Sequence, residues 1–178
     1  MRFVIVVGNP RPQSRTLAMA GAAAAAVTHA AGLAGEPEII DLSGLARHLL
    51  LPEPSAAVED AIDQVTAADL LLVASPTFKG TYSGLLKVFL DRLPQRSLDG
   101  ATAVPVMLMG IREHLPAVDA YLRPLLIELG AAVRGPGLAV LESGLDDLEA
   151  ILGSWADRVA SELGSSHAAA AIGAAQAV

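Results

Sequence analysis

Residues 8 to 16, Gly-Asn-Pro-Arg-Pro-Gln-Ser-Arg-Thr, place two hydroxyls and two guanidinium groups directly after a β-branched run, Phe3 to Val7. An alanine-rich segment follows, and Ser14 stands where a helix N-cap belongs. The first N–H groups of a helix have no partner within it and carry a positive partial charge, so anions gather there. Ser14 and Thr16 add hydroxyl donors and Arg15 a forked cation, a set suited to one phosphate. The same residues also make a plain helix cap with a solvated charge, so the loop by itself leaves both readings open.

The kind of phosphate can be narrowed. A triphosphate loop needs G-x-x-x-x-G-K-[ST], which is absent. A dinucleotide fingerprint needs G-x-G-x-x-G with an acidic residue about 20 positions on. No such glycine pattern follows Gly8, and Asp41 lies too far along. A monophosphate such as that of FMN asks only for hydroxyls and N–H groups, and it fits best.

A second loop, residues 75 to 84 (Ser-Pro-Thr-Phe-Lys-Gly-Thr-Tyr-Ser-Gly), follows another apolar run. Its Gly80 permits a tight turn, and Ser83 can open the next helix. Such a loop can present backbone N–H groups to the edge of a flat ring on which reduction builds negative charge. Phe78 and Tyr82 are placed to line the ring and Lys79 to offset charge; an ordinary turn is the alternative. In a third loop, residues 109 to 114, Gly110 either lets the backbone approach a ligand or simply turns the chain. No metal ligands or catalytic side chains are assigned. His29, His48 and His167 read as surface residues, His114 as capping or structural beside the third loop, and Trp155 as core. Asp91 and Arg92 read as surface or interface pairs.

These loops need elements to position them. Apolar runs at 3–7, 37–42, 69–75, 102–109 and, weakly, within 131–141 read as strands, with Pro105 marking a bulge or weakening the fourth. Segments 14–31, 55–67, 82–93, 114–129 and 145–163 read as helices, with Pro52 and Pro54 in a loop and Pro124 as a kink. Strands alternating with helices imply a parallel sheet covered on both faces. The expected fold is a flavodoxin-like, doubly wound, five-stranded sheet of order 2-1-3-4-5. Ligands of such a sheet sit beyond the carboxyl ends of its strands, at the switch point. Residues 1 to 164 form one domain, and the alanine-rich tail 165 to 178 is read as frayed or disordered.

A chain of 178 residues with 53% hydrophobic content supports one core. A formal charge of −7 and 3% aromatic residues argue against nucleic acid and anionic membranes as partners. The absence of cysteine removes disulfide and thiolate chemistry and suits a cytoplasmic protein. No apolar run reads as a signal peptide or a membrane span.

Three segments together resemble the NAD(P)H-dependent FMN reductase family over roughly residues 1 to 160. "GNPRPQSRT" is similar to that family's G-S-P-R-x-x-S-x-T loop. "ASPTFKGTYSGLLKVFLDRLP" is similar to its [AT]-[ST]-P-x-[YF]-K-x-x-[YF]-S-G-x-L-K segment, and "HLPAVDAYLRPLLIELGA" to its H-L-x-A-V-D run. The nearest branch supplies reduced flavin to alkanesulfonate-type monooxygenases. The resemblance implies that Asn9, Arg11, Ser14, Arg15 and Thr16 surround the FMN phosphate. It implies that Pro76, Thr77, Phe78 and Lys79 meet the isoalloxazine ring, with Gly110 on its other side and NADPH or NADH as hydride donor. The chain departs from the family pattern at Asn9 (usually serine), at Met109 and Ile111 (usually Gly and Thr), and at Ala120, where the sulfonate branch often has an aromatic. A monooxygenase partner and a homodimer or homotetramer are expected. The wide apolar helix faces at Leu85, Leu86, Val88, Phe89, Leu122, Leu125 and Leu126 point to the same oligomer. Competing readings are an electron carrier, a flavin-binding module without turnover, and a reductase of quinones, azo dyes or metal oxyanions.

Overall fold

The β-branched run near the N-terminus becomes β1 (Phe3–Val7), whose five side chains are all buried. A computed structural model describes residues 1–53 and 55–175, with side chains described as far as Gly164. Along the chain β1 is followed by α1 (Arg15–Ala30), β2 (Glu38–Asp41), α2 (Ala56–Thr66), β3 (Leu70–Pro76) and α3 (Gly84–Leu90). Then come β4 (Thr102–Met109), α4 (Arg123–Glu128), β5 (Leu138–Leu141) and α5 (Leu148–Ala175). The five strands form one parallel sheet of order β2-β1-β3-β4-β5, the doubly wound order expected.

Alternation along the strands sorts side chains into two cores. Val4, Val6, Leu71 and Val73 face α2, α3 and α4, whereas Ile5, Val7, Leu70, Leu72 and Ala74 face α1 and α5. The alanines of α1 have a packing reason. Met19, Ala20, Ala23, Ala24 and Val27 recur at helical spacing and are fully buried, and small side chains bring the helix close to sheet and α5. Because α1 and α3 leave neighbouring strands toward opposite faces, the carboxyl ends of β1 and β3 part there and open a crevice.

Four details differ from the sequence reading. Pro105 makes no bulge: the β3–β4 register runs unbroken from Leu70↔Thr102 to Pro76↔Leu108. The β4–β5 ladder begins only at Val106, one residue beyond the proline that lacks an N–H. Pro124 does not merely kink a helix. Its ring crowds the carbonyl four residues back, and the chain widens into a π-helical turn at Val118–Leu122 before α4 starts with Pro124 in its first turn. Of the apolar helix faces, Leu86, Phe89, Leu122 and Leu126 are spent on the core, Leu85, Val88 and Leu125 are partly buried, and Tyr121 and Ile127 are exposed. Finally, α5 begins at Leu148 after a short 3-10 stretch (Glu142–Asp147) and runs to Ala175. The side chains of the expected tail, 165 to 178, and all of Pro54 and residues 176–178, lie outside the described residues.

Trp155 is core, 2% exposed, with its indole N–H donated to the Pro136 carbonyl at 3.0 Å. Arg92 pairs with Glu59 and Asp91 with Lys87, both at the surface. No helix among the described residues is long and apolar enough to cross a membrane.

Candidate functional site

Seven of the ten residues singled out in the sequence converge on one cleft at the carboxyl edge of the sheet. Asn9, Arg11, Ser14, Arg15, Thr16, Pro76 and Phe78 line it together with Pro12, Gln13, Leu108 and Glu142, around a volume of 270 Å³. Thr77, Lys79 and Gly110 do not line it.

The first loop is ordered by its own side chains. Asn9 is buried; its amide NH₂ donates to Thr16 Oγ1 at 3.0 Å and its Oδ1 accepts from the Arg11 N–H at 3.0 Å. Ser14 caps α1, its Oγ accepting from the Leu17 N–H at 3.1 Å. The serine that the family usually carries at position 9 is thus replaced by a residue that pins the loop at two points. Ser14 keeps a hydroxyl proton to give, and the first-turn N–H groups of a 16-residue helix face the same way. Arg11 is exposed and without an ion-pair partner among the described residues, while Arg15 Nη2 meets Glu142 Oε1 at 2.9 Å.

The loop is also fastened to α3. A Cβ on Gly8 would stand 2.4 Å from Leu86 Cβ, so α3 rests directly on that backbone. Buried Ser83 donates its hydroxyl to the Gly8 carbonyl and accepts from the Leu86 N–H, and its own N–H donates to Ser75 Oγ at 2.9 Å. One chain of buried hydroxyls therefore joins the ends of β1 and β3 to the start of α3.

The second loop is built differently. Phe78 and Thr81 exchange backbone hydrogen bonds (2.8 and 3.3 Å) around Lys79 and Gly80, which have φ of 54° and 85°. Two successive positive φ values make a type I′ hairpin, and Gly80 supplies one of them without strain. The Thr77 N–H is taken by the Leu108 carbonyl at 2.8 Å. Of the backbone N–H groups this loop was expected to present, those of Thr77 and Phe78 are thus already engaged, and those of Lys79 and Gly80 have no partner among the described residues. The hairpin holds the Phe78 ring 45% exposed at the cleft, and it leaves Thr77 Oγ1 buried without a hydrogen-bond partner. His114 packs near Gly80, 3.7 Å from where a Cβ would be. In the third loop Met109 turns into the core, 1% exposed, while Gly110 and Ile111 are exposed.

Glu142 carries no local sequence signal. It reaches the cleft because α1 and α5 share one face of the sheet, which brings the β5–α5 connection to the start of α1. At the surface away from the cleft, hydrogen bonding between Arg2 and Glu38 raises the pKa of the first and lowers that of the second, and hydrogen bonding to Asp91 raises that of Lys87. Among the described residues no cluster of His, Asp and Glu could hold a metal ion.

The donor set suits a phosphate: a hydroxyl, helix N–H groups and a free guanidinium, with Glu142 as the one opposing charge. The exposed aromatic ring of Phe78 lines the same cleft. The sequence and the fold also match known proteins. Residues 1–146 match the family model described as NADPH-dependent FMN reductase. The chain is 37% identical over 133 residues to an FMN reductase (NADPH) of Escherichia coli K12, covering 74% of this chain and 68% of that one. It is 33% identical over 162 residues to the NADH-dependent FMN reductase SfnE of Pseudomonas putida, covering 85% and 82%. A solved NADH:FMN oxidoreductase in its apo form superposes with a TM-score of 0.80 at 31% identity, over 90% of this chain and 89% of that one. An archaeal flavodoxin superposes with a TM-score of 0.65 at 17% identity, over 92% and 99%, which extends the likeness of fold. Cleft, fold and matches agree, and the chain belongs to the NADPH-dependent FMN reductase family.

Proposed function

We propose that the cleft binds FMN with its phosphate at Arg11, Ser14, Arg15 and the first turn of α1, and its ring beside Pro76 and Phe78. The observation that carries this reading is that a pinned, capped anion site and an exposed aromatic hairpin share one cleft at the switch point. When bound, FMN supplies an acceptor for a hydride from NADPH or NADH, the donors for which the relatives are named. The chain's own work is positional. Asn9 and Thr16 keep the backbone of the phosphate loop in one shape, so its hydroxyl and N–H donors need no reordering when the anion arrives. Ser83 and Ser75 hold that loop and the hairpin at a fixed separation. Phe78 and Pro76 exclude water from one side, and the free N–H groups of Lys79 and Gly80 stand available to a partner of negative charge. Gly110, exposed beyond β4, borders the nicotinamide side.

In this reading the reduced flavin passes to a partner monooxygenase, and two or more copies associate through apolar side chains left exposed or half-buried on the helices, among them Leu85, Val88, Leu125, Tyr121 and Ile127. The test mixes purified protein with FMN and each nicotinamide donor and follows nicotinamide absorbance. Oxidation dependent on added or bound FMN is expected. Folded protein that oxidises neither donor overturns the proposal.

A further inference from the structure

Glu142 is the one carboxylate lining the cleft, and it faces the groups that a phosphate would use. Its Oε1 lies 2.9 Å from Arg15 Nη2, and the pair is well exposed, Arg15 at 64% and Glu142 at 40%. An ion pair this exposed is weak and exchanges partners readily. It is nonetheless a poor choice for a site that has only to hold an anion tightly. A carboxylate beside a dianion repels it, and it also occupies a guanidinium that the dianion would otherwise engage.

We infer that Glu142 acts as an internal competitor for the phosphate cradle, lowering the affinity for phosphate-bearing flavin and leaving the affinity for the ring untouched. The inference rests on the FMN reading of the cleft and adds to it a specificity-determining residue from the β5–α5 connection. When the phosphate arrives, Arg15 turns from Glu142 to the anion; when it leaves, Glu142 takes the guanidinium back. Apparent affinity falls by the fraction of molecules in which the pair is closed. Because Arg11 on the same loop has no ion-pair partner among the described residues, the cradle keeps one uncontested cation and Glu142 tunes binding rather than abolishing it.

The test uses Glu142→Gln, which keeps the shape and an oxygen for Arg15 but removes the charge. Affinities of wild type and variant are measured by flavin fluorescence for FMN and for riboflavin, which lacks the phosphate. The variant is expected to bind FMN about three- to tenfold more tightly and riboflavin unchanged, as removal of one exposed charge near a dianion predicts. An unchanged or weaker affinity for FMN, or an equal gain for both flavins, overturns the role of Glu142. Equal wild-type affinities for FMN and riboflavin would instead remove the phosphate from the cleft, and the inference would fall with the reading beneath it. An unchanged thermal midpoint in the variant excludes altered folding as the cause.

Discussion

The two loops that frame the cleft are held by opposite means. Residues 8–16 are fixed by side chains, with Asn9 bonded to Thr16 and Arg11, and Ser14 to the start of α1. Residues 77–81 are fixed by backbone alone, through a two-residue hairpin that leaves the Phe78 side chain exposed. The difference fits the roles proposed for the two loops. A loop that takes an anion must keep donors aimed at one point, and spending buried amides and hydroxyls on its own shape achieves that. A loop that takes a ring needs only a platform at a set height, which a rigid turn provides.

The contrast can be broken most severely at the junction of the two loops. Gly8→Ala drives a Cβ into Leu86, so a loss of about 3 kcal/mol in denaturant unfolding is expected, with binding of every flavin lost as the loops part. Next in size, Ser14→Ala removes the α1 cap and costs about 1 kcal/mol, whereas Ser14→Asp keeps the cap and the stability. If Ser14 also serves the phosphate, Ser14→Asp lowers FMN affinity at least about tenfold while riboflavin binding stays, because a second carboxylate then faces the anion. Phe78→Ala tests the platform. Stability should fall by no more than about 1 kcal/mol because Phe78 is nearly half exposed, yet FMN and riboflavin should weaken by the same factor. The smallest effect lies away from both loops. Arg2 holds the Glu38 carboxyl below the usual carboxylate range, chiefly by hydrogen bonding. A lowered folded-state pKa contributes stability above the unfolded pKa, which is lost as pH falls through the folded one. Glu38→Gln should therefore unfold slightly more easily at neutral pH, match wild type in acid, and bind flavin normally.

What was legible in the sequence was local. The Ser14 and Ser83 caps, the turn at Gly80 and the five apolar runs declare themselves within a few residues, and the order 2-1-3-4-5 follows from their alternation. Contacts between distant segments left no such mark. The Ser83–Gly8 bond spans 75 positions and the Arg15–Glu142 pair joins opposite ends of the domain, so neither belongs to any motif. Pro105 misled because the reading could not show that its β5 neighbour starts one residue later. At Pro124 the chain avoided a clash by widening into a π-helical turn, a response that composition does not encode. Of the N–H groups the second loop was expected to present, those of Thr77 and Phe78 were likewise consumed, one by β4 and one by the hairpin itself.

The central claim is that the side-chain-pinned loop holds a phosphate and the hairpin holds a ring. A crystal structure of the protein with FMN tests it most directly. The phosphate is expected within hydrogen-bonding distance of Ser14 and the first-turn N–H groups of α1, with the ring beside Phe78. A phosphate found away from residues 9 to 16, with the ring elsewhere on the molecule, would contradict it.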